Sequence, residues 1–483
     1  MRMRELVPVV ASAAVLFIPI SQAHAAPASM TLAADTILTP GFSTSIPNYT
    51  TSCATGTVNM TASAGTGMTL AVDGHTAKSG SQTVAVPLHA GQRFKVKAKK
   101  GGKTTTHSIR CLPADFPVFT VEGSLPATIP LFGFSNIRPV VFNIPGITQY
   151  AIIADRNGVP VWWMEAPQNL FNVMGMKGGR IAMGLADGPL TIYRPSGTLD
   201  KRMRPTIGQP DAHEAIPTSR GTFYLGATSQ RFHIDLTPIS GPADGATLDS
   251  NIEEVSATGK SLWTWRSKDY FAISDTLLPQ RFIPLTNVDP SGGSVWDIVH
   301  LNSIEDDNKG GIIASFRNTS AVYRIVKSTK AIDWKFGGTP SDKSLRVIGD
   351  DGTVPHLSGQ HDARLLPDGT ITIQDNGSNQ TRPARVTRWR IDRVAKTATL
   401  VEELKDPTIG RSVCCGSARK QTDGSWLVAW GSLSVIRGYN AAHRMTFNLH
   451  FADHGLTYRA TPVTTKQVTT AQLLTGMDYM HKR

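Results

Sequence analysis

Six times between residues 150 and 458 the chain repeats one pattern: an apolar strand, a short polar turn carrying Gly, Ser or Thr, and a second apolar strand, often ending in Trp. Four instances are regular: Ile152 to Trp163 around Asn157-Gly158, Leu190 to Leu199 around Ser196-Gly197, Ile252 to Trp263 around Thr258-Gly259, and Val322 to Trp334 around Ser328-Thr329. Two are degenerate: Val386 to Leu400, and Met445 to Tyr458 with a turn at Asp453-His454-Gly455. Antiparallel units that each expose apolar faces must stack on one another, and with few helical periods this predicts a propeller of about six four-stranded blades. The units recur at uneven intervals of roughly forty to seventy residues, so some loops between strands are long.

Ahead of the repeats, Thr31 to Leu112 is rich in Thr, Ser, Ala, Gly and Val, with short alternating runs and turn signals. This predicts a small β-sandwich and, with the repeats, an all-β chain: a sandwich over 26–115 followed by a six-bladed β-propeller over 116–483. The run through Thr39-Pro40-Gly41-Phe42, Asn48-Tyr49 and Val72-Asp73-Gly74 resembles cadherin-like modules, a likeness that concerns fold only.

Arg2 and Arg4, an apolar run from Leu6 to Ile20, and Ser21-Gln22-Ala23-His24-Ala25 form a signal-peptide pattern with cleavage expected after Ala25. Pro8 and Pro19 interrupt the run, which is short for a bilayer span. The expectation is export, to the periplasm or beyond, without stable membrane insertion once residues 1–25 are removed. An oxidising compartment lets thiols pair, so Cys53 and Cys111 are expected to bridge. For the adjacent Cys414 and Cys415 a vicinal disulfide and two reduced thiols both stay open, because the bridge needs a strained peptide.

A formal net charge of +12 calls for an anionic partner. The densest basic run, Lys95, Lys97, Lys99, Lys100 and Lys103, alternates with Phe94, Val96 and Ala98 around Gly101-Gly102. That pattern is a hairpin with one solvated face, and it argues against nucleic acid as the partner. A membrane surface and a small acidic substrate remain; whether the chain forms a homo-oligomer is left open.

A second recurrence carries the chemistry. One polar residue precedes a Gly and an apolar strand by about eight positions, and in three successive units it is histidine: His213 in DAHEAIPTSRGTFYLGA, His300 in VWDIVHLNSIEDDNKGGIIASF, His361 in GQHDARLLPDGTITIQDNG. In the next unit Cys415 takes that place. Innermost strands line a propeller's channel, so the three histidines are expected to converge at one mouth. Register alone leaves two chemistries open: a three-histidine metal site, or a metal-free nucleophile with cationic helpers. Arg317, at the end of Ile312-Ile313-Ala314-Ser315-Phe316 in the unit of His300, is a poor neighbour for a divalent cation and a good one for an oxyanion, so no metal or other cofactor is expected.

The segments HLNSI, ASFRN, QHDARLLPDG and QDNG together resemble the bacterial arylsulfate sulfotransferases, which do not use the nucleotide donor of cytosolic sulfotransferases; the likeness is strongest from Asp211 to Gly377. The resemblance implies transfer of a sulfo group from an aryl sulfate donor to a phenolic acceptor by a ping-pong route. It further implies that His361 is the nucleophile that becomes sulfurylated, with His213, His300 and Arg317 holding sulfo oxygens and assisting proton transfer. Enterobacterial members carry a disulfide with several residues between its cysteines after the nucleophile, whereas Cys414 and Cys415 are adjacent. Asn302, Asn376 and Asp375 stand in the matched motifs, but turn capping accounts for Asp-Asn-Gly equally well. His356, Arg364 and Arg411 read as loop residues with surface roles. Two other classes compete: a metal-dependent hydrolase or sulfatase using the three histidines with Asp362 or Glu214, and a non-catalytic ligand-binding propeller.

Overall fold

The computed structural model describes residues 29–137, 148–166, 170–185, 188–282, 294–350, 355–452 and 455–483. The signal-peptide segment and the Asp453-His454 turn lie outside them. Among the described residues the regular structure is strand apart from short 3-10 turns and one α-helix, Thr470–Met480, whose N-cap Thr469 accepts from Gln472 in a capping box.

Residues 31–112 build two sheets around one core. Thr31–Ala34, Thr57–Ser63 and Ser81–Pro87 form the first; Asn48–Ser52, Lys103–Leu112, Arg93–Lys100 and Met68–Val72 form the second. In Arg93–Lys100 the residues Phe94, Val96 and Ala98 are buried while Lys95, Lys97 and Lys99 face solvent, the period-two pattern of a half-buried strand. Cys53 and Cys111 are bridged beside the parallel pairing of Asn48–Ser52 with Lys103–Leu112.

The rest of the chain forms six sheets, each with four strands in antiparallel succession. Five begin with consecutive first strands: Leu170–Met176, Gln209–Pro217, Leu301–Asp306, His361–Leu365 and Ser417–Lys420. The sixth is composite, because Thr461–Val463 pairs with Leu131–Ser135, joining the C-terminal part of the chain to Tyr150–Asp155 and Pro160–Glu165. Phe119–Gly123 adds to the far edge of the sheet begun by Ser417–Lys420. First strands touch in order: Leu170–Met176 against Gln209–Pro217, then Leu301–Asp306, then His361–Leu365, then Ser417–Lys420, then Thr461–Val463, which returns to Leu170–Met176.

The recurring tryptophans have a physical role. Trp162 Nε1 donates to Pro195 O at 2.8 Å, and Trp263 and Trp265 donate to Lys327 O and Lys330 O at 2.8 and 3.0 Å. An outer strand of one sheet thus clamps a turn of the next while its indole ring fills the gap between them.

Five of the expected hairpins form where the pattern places them. Met445 to Tyr458 does not: Met445–Phe451 pairs backwards with Val435–Tyr439, and Thr461–Val463 leaves for the composite sheet. The apolar alternation marked Met445–Phe451 as a strand, but the next strand begins at Thr461, beyond the expected end at Tyr458, and alternation carries no information about which partner each strand takes.

Candidate active site

The first strands are irregular at their N-terminal ends. Register shifts fall between Leu170 and Asn172, Asp211 and Ala215, Leu301 and Ser303, and His361 and Arg364. Such bulges re-aim side chains. Three non-glycine residues there, His300, Asp362 and Cys415, have φ of +59°, +57° and +67°, a backbone region costing about 1–3 kcal/mol that persists where surrounding contacts over-determine it. The effect is to bring His213, His300, His361, Cys415 and Tyr458, from five different sheets, to one place.

The ring centroids of His213 and His300 are 4.4 Å apart, those of His300 and His361 6.4 Å, and Tyr458 stands 5.5 Å from His213 and 6.0 Å from His361. Phe171 packs 5.0 Å from both His213 and Tyr458. All three histidines expected to converge do so.

Each histidine has a different partner. His213 Nδ1 bonds Asp211 Oδ1 at 2.5 Å, and His300 Nδ1 bonds Asp297 Oδ2 at 2.6 Å. Burial pulls His213 down, but Asp211 beside it outweighs that and leaves its pKa raised. For His300 burial prevails, helped by the charge of His213, and the pKa is lowered in spite of Asp297. Each ring of the adjacent pair has its own carboxylate, and the two shifts run in opposite directions, up for His213 and down for His300.

His361 has no carboxylate: its Nδ1 lies 3.2 Å from Gly359 O. Buried and surrounded by the charges of Arg317, His300 and Arg459, its pKa falls well below the ordinary histidine value. It is neutral at neutral pH. A carbonyl can only accept, so this contact favours the tautomer with the proton on Nδ1 and the lone pair on Nε2.

Arg317 is anchored rather than neutralised. Its Nη1 donates to Asn318 Oδ1 at 2.7 Å and its Nη2 to Val413 O at 2.8 Å, while its buried Nε has no hydrogen-bond partner among the described residues. Burial is the largest influence and lowers its pKa. A guanidinium this far from water with donors to spare has the chemistry to receive an oxyanion.

Beside the histidines lies a buried ionic cluster. Glu214 meets Arg364 at 2.5 Å and Arg459 at 3.3 Å; Asp362 meets Arg419 at 2.7 Å, Arg364 at 2.9 Å and Arg459 at 3.3 Å; Glu305 meets Arg364 at 3.4 Å. Burial alone would raise Asp362, but Arg419, Arg364 and Arg459 hold its carboxyl below the ordinary range. Three carboxylates face three guanidiniums, so the cluster balances itself.

Glu214 and Asp362, weighed in the sequence as metal ligands, are consumed in that cluster. No group of three or more His, Cys, Asp or Glu among the described residues is arranged to hold a metal ion. Arg364 is likewise no surface loop residue: it is buried on a first strand. His356 bonds Asp350 at 3.1 Å, and Arg411 Nη1 bonds Gln380 O at 3.3 Å. Cys414 and Cys415 stand side by side as two unbridged cysteines.

Sequence reasoning missed Asp211, Asp297, Phe171 and Tyr458. The two aspartates had a legible signal, an acid two or three residues before each of the first two histidines. Phe171 and Tyr458 lie in the two units with neither a histidine nor Cys415 at the recurring place, where the eight-residue spacing offered nothing to align.

The sequence pattern of the arylsulfotransferases (ASST) matches residues 194–452, more than half of the chain. No curated protein sequence matches. Among solved structures, a protein of unknown function from Bacteroides caccae is 11% identical with a TM-score of 0.41, covering 68% of this chain and 97% of its own. An inactive virginiamycin B lyase from Staphylococcus aureus is 9% identical with a TM-score of 0.33, covering 69% and 100%. The β-propeller domain of Cps50 from Myceliophteria thermophila is 10% identical with a TM-score of 0.31, covering 58% and 87%.

Proposed function

The chain belongs to the arylsulfotransferase family, and from that premise we propose a nucleotide-independent transfer of a sulfo group from an aryl sulfate to a phenolic acceptor, by double displacement through His361. The observation that carries the reading is the setting of His361: buried, its pKa held down by burial and by neighbouring cationic side chains, with Nδ1 3.2 Å from Gly359 O, which favours a lone pair on Nε2.

In the first half-reaction His361 Nε2 forms a bond to sulfur as the sulfur–aryl oxygen bond breaks. The transition state of such a transfer is loose, with charge on the peripheral and leaving oxygens. Arg317 holds the peripheral oxygens, and His213, kept protonated by Asp211, delivers its proton to the departing phenolate. The product is a cationic N-sulfo imidazole, itself a good donor. In the second half the acceptor's phenol oxygen bonds to sulfur, the nitrogen–sulfur bond breaks, and the phenolic proton passes to the now neutral His213. His300, held by Asp297, stands beside His213, and Phe171 and Tyr458 give an aryl ring apolar faces.

The same reading takes the six four-stranded sheets as blades of a propeller, the two sheets of residues 31–112 as a cadherin-like sandwich, and residues 1–25 as an export signal that delivers the enzyme to the periplasm or outside the cell. The reading is tested by initial-rate kinetics with donor and acceptor varied together. Parallel double-reciprocal lines, with phenol released in a burst when no acceptor is present, are expected; intersecting lines without a burst would sink double displacement.

A further inference from the structure

His361 depends on a carbonyl for its tautomer, and one side chain holds that carbonyl. Gly359 has φ of +61°, in the left-handed region, and a Cβ there would come 2.2 Å from Ser378 Oγ, so the loop before His361 is tightly turned. Across it lies Asn376, fully buried on the segment after Thr370–Asp375.

Its Nδ2 donates to Gly359 O at 2.9 Å and to Cys415 O at 2.9 Å, and lies 3.3 Å from His361 Nδ1. Both amide hydrogens are spent on the two carbonyls, so the approach to Nδ1 is not a donated bond: a protonated Nδ1 also aims at Gly359 O. The backbone carbonyl of Asn376 accepts from Ser412 N at 3.1 Å, tying the residue to the loop that carries Cys414 and Cys415. Two loops from adjacent sheets, one leading to His361 and one to Cys415, thus meet on a single carboxamide.

We infer that Asn376 is a positioning residue of the transfer reaction: by fixing Gly359 O it selects the Nδ1–H tautomer of His361 and so keeps Nε2 free to attack. The assignment rests on the proposed role of His361. In water imidazole favours the other tautomer, with the proton on Nε2, which cannot act as a nucleophile at that atom; the protein must supply the bias, and a buried, doubly accepting carbonyl supplies it.

The test is two measurements on the full chain carrying 15N-labelled histidine, for wild type, Asn376→Leu and the near-isosteric Asn376→Asp. Long-range 1H–15N correlation on the resting protein reports the His361 tautomer, and stopped-flow with a chromogenic aryl sulfate reports the first transfer. Asn376→Leu should lose the Nδ1–H signature and slow the first transfer by about tenfold or more, since one buried hydrogen bond's worth of bias is lost. Asn376→Asp, whose carboxylate repels both carbonyls and bonds Nδ1–H directly, should keep the protein folded and the Nδ1 proton while altering its chemical shift. An unchanged tautomer in Asn376→Leu, or a slowed transfer with the wild-type tautomer, would overturn the assignment. The tautomer is read without substrate, so a wild-type protein inert towards aryl sulfates would count against the proposed reaction and leave the positioning result standing.

Discussion

Glu214→Gln removes one charge from a cluster that is otherwise balanced, three against three. Glu214 is fully buried, accepts from Ile304 N at 3.3 Å, and binds Arg364 at 2.5 Å and Arg459 at 3.3 Å. Glutamine retains one oxygen acceptor but no charge, leaving two buried guanidiniums to share the remaining carboxylates. Removing one partner from a buried ion pair costs about 3–5 kcal/mol, and a cooperative unit of several hundred residues loses roughly 1–2 °C of Tm per kcal/mol. The expected drop is about 4–8 °C by scanning calorimetry. Lys405 provides the contrast: its 2.9 Å pair with Glu403 is held by a largely exposed side chain, and such pairs are worth about 0–1 kcal/mol. Lys405→Met should shift Tm by no more than about 1 °C. Equal shifts for the two variants, or none for Glu214→Gln, would refute the claim that this cluster holds the first strands together.

Two further outcomes are expected. In the pH profile of the first transfer, His361 must be neutral and His213 protonated; the lowered pKa of the one and the raised pKa of the other place the acid limb below, and the alkaline limb above, the ordinary histidine range. Asp211→Asn removes what raises His213, so the alkaline limb should move to lower pH and the rate at neutral pH fall by something on the order of a hundredfold; an unmoved limb, followed by stopped-flow from pH 5 to 10, would take His213 out of the proton path. Thiol titration of the denatured, unreduced protein should give two thiols per chain, those of Cys414 and Cys415, with Cys53 and Cys111 bridged; none would mean that the adjacent pair is also oxidised, and four that the bridge between the two strands is absent.

The sequence declared its strands well because alternation and Gly-bearing turns are local signals: five of six hairpins and the lysine-faced strand lie where those signals put them. The return of Thr461–Val463 to Leu131–Ser135 is a contact between residues over 300 positions apart, and no local pattern encodes it. Likewise His213, His300 and His361 could be aligned because each begins a unit of similar shape, whereas Tyr458 precedes the strand Thr461–Val463, whose sheet is completed by strands between residues 131 and 165. Charge was legible only as a total. That Arg364, Arg419 and Arg459 are buried against Glu214, Asp362 and Glu305, rather than spread over the surface, depends on which first strands are neighbours.

The central claim is that His361 carries the sulfo group between donor and acceptor. The direct measurement is intact mass of the purified protein quenched within seconds of mixing with a chromogenic aryl sulfate, without acceptor, for wild type and His361→Ala, followed by peptide mapping at alkaline pH. The account predicts a sulfo-sized gain on wild type that maps to His361, disappears on adding a phenol, and is absent from His361→Ala. Continuous phenol release by wild type with no adduct at any quench time, or an adduct that persists in His361→Ala, would contradict it.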